Sequence, residues 1–115
     1  MNDPTTALRE GVEAIWAIAE QAARQGTLDA LHRRELVRRG TSALSTIIRS
    51  GVASGAFRPT CPLWATRGLP RAIVAGVYAR WAFGLPEERS LGAGPAAEAA
   101  LEALRPTRSF LMSVQ

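Results

Sequence analysis

The chain has 115 residues, 47% of them apolar and 21% charged, with a formal net charge of +4, which suits one folded domain and lies far from the composition of a disordered chain. A single cysteine, Cys61, excludes an intrachain disulfide and a cysteine-rich zinc site. The longest nearly uninterrupted apolar run, Ala72 to Ala79, ends at Arg80, well short of the ~20 residues a membrane-spanning helix needs.

The opening residues, Met-Asn-Asp-Pro, lack the basic-then-apolar order of a signal peptide, so a cytoplasmic location without a membrane partner is expected. All fourteen basic residues are arginine. That bias fits codon usage as well as it fits phosphate binding, because net charge speaks to solubility and association before it speaks to a specific partner.

Asp3-Pro4 is a helix start: the carboxylate accepts from free backbone N–H groups while proline sits where its missing N–H costs nothing. Leu8, Val12, Ile15, Trp16, Ala19 and Ala23 then recur at spacings of three and four, and Gly26 provides the stop. On the wet side Arg9 is spaced to pair with Glu13, and Glu20 with Arg24. Thr27 can cap a second helix carrying Leu28, Leu31, Glu35, Leu36 and Arg39, which Gly40 ends. A third restarts at Thr41 or Ser42, shows Leu44, Ile47, Ile48 and Val52 on one face, and closes on Gly55 as a left-handed cap with Phe57 packing back.

Pro59, Cys61 and Pro62 form a short rigid connection. Leu63, Trp64, Leu69, Ile73, Val77 and Trp81 fit a long helix reaching about Phe83, kinked or broken at Pro70, because an interior proline removes one hydrogen bond and crowds the preceding turn. Residues 84–95 are rich in glycine and proline and predict a loop. Pro95 opens a last helix in which Ala97, Ala100, Leu101 and Leu104 form a narrow stripe, and Pro106 follows its end. No alternating stretch is long enough for a strand, so the expected fold is all-α: about five helices over residues 1–106, with 107–115 as a tail.

The segment Ile48-Arg49-Ser50-Gly51-Val52-Ala53-Ser54-Gly55-Ala56-Phe57-Arg58-Pro59, followed by a proline-started helix holding Gly76 and Trp81, resembles the C-terminal domain of TetR-type transcriptional regulators. There a helix often ends in Gly-Val and Gly-x-Phe before a turn in which Asp-Pro starts the next helix; here Cys61-Pro62 replaces Asp-Pro, a weaker cap. The Asp3-Pro4 start and the Ala-Leu-rich last helix ending in Leu104-Arg105-Pro106 extend the resemblance over most of the chain.

The resemblance implies an antiparallel helical bundle that binds a small apolar or aromatic effector, pairs as a homodimer or with a related regulator, and acts as a repressor's sensor by coupling the ligand to release of DNA. It places Trp16, His32, Ile48, Trp64 and Tyr78 as candidates for the effector pocket, with core or interface packing as the alternative use of the aromatic residues and a bystander role as that of His32. It places Gly76, Val77, Trp81, Ala97, Ala100, Leu101 and Leu104 as candidates for the dimer interface, with closure of the chain's own core as the alternative use of those faces.

The helix-turn-helix that would read an operator is not recognisable in these 115 residues: around Gly40 the nearest helix pair presents Ile47 and Ile48 where base-reading groups are needed. Direct DNA binding by this chain alone is therefore not expected, and a stand-alone interaction module that pairs with a full-length regulator is the alternative. His32 has no metal-ligand partner at suitable spacing, and Cys61 has no companion base, so neither a metal, a cofactor nor an enzyme activity is expected. Among Arg33, Arg34, Arg38 and Arg39, only Arg34 and Arg38 clearly share a face, and Glu35 can pair with Arg39; a solvated helix surface is the favoured reading of this cluster.

Overall fold

In a computed structural model, which describes residues 3–105, five helices follow one another: α1 (Pro4–Arg24), α2 (Ala30–Ser54), α3 (Pro62–Phe83), α4 (Pro86–Ser90) and α5 (Gly94–Leu104). The fold is all-α, and the expected tail lies outside the described residues. α2 packs on both α1 and α3, while α5 closes the bundle against α1 and α3.

The start of α1 follows the sequence signal. Asp3 accepts from the Thr6 backbone N–H at 3.0 Å and from its hydroxyl at 2.9 Å, and Pro4 occupies the first turn. Leu8, Val12, Ile15, Trp16 and Ala19 are buried along one stripe. The Glu20–Arg24 pair forms, at 3.6 Å, but Arg9 reaches across to Glu98 of α5 at 3.2 Å instead of to Glu13. Both of its partners are exposed, and such a pair contributes little, about 0–1 kcal/mol.

Two expected boundaries move. Thr27 finishes α1 rather than starting α2: its N–H and hydroxyl both donate to the Ala22 carbonyl, at 2.8 and 3.3 Å. The α2 cap is Asp29, which accepts from the His32 N–H at 2.9 Å. Gly40 does not end a helix, and the segments expected on either side of it form one helix of 25 residues. The glycine serves packing instead. A Cβ there would lie 2.9 Å from Val74 Cγ2 and 3.3 Å from Ile15 Cδ1, so its absence lets α1, α2 and α3 meet closely.

Gly55 has φ 82°, the left-handed cap expected, and donates to the Val52 carbonyl at 3.1 Å. Phe57 then folds back, its N–H donating to the Gly51 carbonyl at 3.0 Å and its ring lying against Gly51. One residue later the Arg58 N–H donates to the Leu104 carbonyl at 3.0 Å, tying this turn to the end of α5.

α3 begins at Pro62 after Cys61, whose side chain makes no cap bond. It runs unbroken through Pro70. Proline cannot donate to the carbonyl four residues back, which belongs to Thr66. Ser45 of α2, itself buried, donates its hydroxyl to that carbonyl at 2.7 Å, so the lost intrahelical bond becomes an interhelical one. The expected 84–95 loop contains the short α4, while α5 starts one residue before Pro95.

Candidate functional site

The five expected pocket residues do not converge on one cavity. Ile48 is fully buried in the core, and Trp16 is buried with its ring edge-to-face against Trp81, centroids 5.3 Å apart. Trp64 is half exposed at the start of α3, where it covers Gly68. His32 and Tyr78 lie on opposite sides of α2, in two different grooves.

His32 opens onto a cleft of about 370 Å³ between α1 and α2. Its apolar wall comes from Ala14, Ile15, Ile18, Leu28 and Leu36, while His32, Glu35 and Arg39 supply polar groups from successive turns of α2. Ile18 is 57% exposed, an apolar side chain left uncovered at the mouth. The volume falls at the small end of the range for small-molecule sites, about 300–1,000 Å³, and the mixture of an apolar lining with a few polar groups suits such a site. The signal for it was a second stripe on α1, Gly11, Ala14, Ile18 and Ala22, running beside the core stripe at spacings of three and four.

The polar side is held in place locally. Glu35 accepts from Arg39 at 2.7 Å and from Arg38 at 2.7 Å, and its carboxyl is held below its ordinary value chiefly by the Arg38 hydrogen bond. His32 Nδ1 lies 2.9 Å from Asp29 Oδ1. The His32 backbone N–H, followed by its ring, holds the Asp29 carboxyl below its ordinary 3.8, and the Thr6 backbone N–H, followed by the Thr6 hydroxyl, does the same for Asp3.

The sign of the resulting pH dependence is fixed. Carboxyls depressed in the folded state contribute stability that is present above their unfolded values and lost as pH falls through their folded ones. Thermal midpoints measured below about pH 4 should therefore decline with acid, and Asp3→Asn with Asp29→Asn should flatten that decline while keeping side chains able to cap.

The expected interface residues divide. Val77, Ala97, Ala100, Leu101 and Leu104 are buried within the chain itself, closing α3 and α5 onto the core, and Trp81 is partly buried on Trp16. Gly76 alone faces open space, in a shallow groove of about 200 Å³ between α3 and α5 that also includes Ala72, Ile73 and Ala99.

The opposite side of α2 faces α3 across a basic groove that holds Tyr78. Arg33 lies over the Tyr78 ring, 5.3 Å from its centroid, and the tyrosine hydroxyl donates to the Leu28 carbonyl at a long 3.4 Å. Among the described residues no group of three or more His, Cys, Asp or Glu side chains is arranged to hold a metal ion, and no helix is long and apolar enough to cross a membrane. No family model, no curated protein and no solved structure matches the chain.

Proposed function

We propose that this chain is a helical sensor domain of the TetR type, in which the α1–α2 cleft takes a small neutral ligand, largely apolar or aromatic, and a second subunit packs on the α3–α5 face. The observation that carries this reading is the cleft: about 370 Å³, apolar on its α1 side and polar along His32, Glu35 and Arg39. Its apolar wall supplies affinity, and the polar row supplies orientation. The resemblance of residues 48–59 supports the family, and the open groove around Gly76 supports close approach of another helix.

Because α2 lines the cleft and packs on α3, a ligand that binds one arrangement of α1 against α2 better than another biases what α3 presents to a partner. In a complete regulator that bias would reach the DNA-reading heads.

Thermal unfolding with a panel of neutral one- and two-ring aromatics tests the reading. A ligand at a hundredfold excess over its Kd stabilises by about 2.7 kcal/mol, and Ile18→Glu, at an exposed position, should abolish the shift while leaving the fold intact. A panel without any shift, or shifts that Ile18→Glu leaves unchanged, would contradict it.

A further inference from the structure

The arginines that the sequence scatters are gathered by the fold. Two adjoining depressions between α2 and α3, of about 520 and 650 Å³, share Val37, Arg38 and Arg71 and so form one trough. Six arginines line it: Arg33, Arg34, Arg38 and Arg49 from α2, and Arg67 and Arg71 from α3. No aspartate or glutamate is among its lining residues. Arg38 is held by Glu35, but no ion pair joins Arg34, Arg49, Arg67 or Arg71 to a carboxylate among the described residues.

We propose that this trough binds single-stranded nucleic acid by its sugar-phosphate backbone. Shape and charge select the occupant. Arg33 and Arg49 are sixteen residues apart on one helix, a rise of about 24 Å, so the positive charge is drawn out along a line rather than focused on one point. A row of this kind matches a chain of phosphates.

At one end Phe83, 84% exposed, presents an aromatic ring on which a base can stack. At the other end Arg49 and Arg67 continue the row of charge. Such binding is independent of base sequence. It differs from operator reading, which needs a helix in the major groove.

Fluorescence anisotropy of a labelled oligothymidylate strand tests the proposal. Binding should weaken steeply with salt, with a log–log slope near −3 if about four phosphates are neutralised. Arg67→Glu with Arg71→Glu, both on exposed positions, should weaken it at least tenfold. Glu35→Gln removes the carboxylate that occupies Arg38 and should tighten it severalfold with the thermal midpoint of the protein still that of a folded domain. Phe83→Ala should weaken the oligonucleotide but not inorganic polyphosphate. The proposal is overturned if the strand does not bind at low salt, if the double reversal leaves binding unchanged, if Glu35→Gln brings no gain, or if duplex or inorganic polyphosphate binds more tightly than the single strand.

Discussion

Ile48→Ala is expected to remove about 2–5 kcal/mol of folding stability. Ile48 is completely buried, one turn along α2 from Leu44, which is equally inaccessible. Truncation there deletes apolar contacts and leaves a void that the surrounding helices refill only in part. Against a total of about 5–15 kcal/mol for a domain, the variant should show a much lower midpoint in urea with an unchanged slope. The same substitution also separates two roles. As a pocket wall, Ile48 would alter ligand affinity with a modest change in stability; as core, it should change stability and leave the affinity of the folded protein for a cleft ligand as it was.

The second large effect is at the turn after α2. Phe57→Ala should cost about 3–5 kcal/mol, because the ring is buried against Gly51 and the same turn is hydrogen-bonded through Arg58 to the end of α5. A Cβ at position 51 would run into the ring. Gly51→Ala should therefore destabilise by about 1–3 kcal/mol in the natural background, but by much less once Phe57 is alanine. Urea titrations of the four proteins close a double-mutant cycle, and a coupling near zero would show that the ring does not rest on Gly51.

Local chemistry made part of this fold legible from residues alone. Asp3-Pro4 has one economical use, and Gly55 with Phe57 signals a left-handed cap whose following apolar residue folds back; all of these stand as expected. Gly40 does not end a helix and Pro70 does not break one, because what decides at both positions is tertiary. A glycine inside a helix weakens it when the helix is alone, yet here it removes a Cβ that would meet Val74 and Ile15. Pro70 frees the Thr66 carbonyl, and the rescue comes from Ser45, more than twenty residues earlier in the chain. Nothing in either local sequence records that partner.

The candidate sites were less legible than the fold for a related reason. Core stripes identify themselves, since burial selects apolar residues at a fixed period. A cleft or trough is made by two helices, and its composition depends on their rotation against each other. Arg34 and Arg38 share a face of α2, and Arg67 and Arg71 share one of α3, by spacing alone. That the two faces look at the same trough follows only from the packing of α2 on α3. In the same way the sequence places His32 in a pocket and its cleft partners Leu28 and Leu36 only on a helix face, while Ile18 belongs to none of the expected stripes.

The claim that the α1–α2 cleft is a ligand site is tested most directly by amide chemical shifts during titration with indole, a neutral two-ring aromatic with one hydrogen-bond donor. The account predicts saturable changes at Gly11, Ile18, Leu28, His32, Gly40 and Ala43, all of which line the cleft, with Arg67 and Arg71 across α2 unmoved. No saturable change up to the solubility limit of indole, or changes centred on the α2–α3 trough instead, would contradict it.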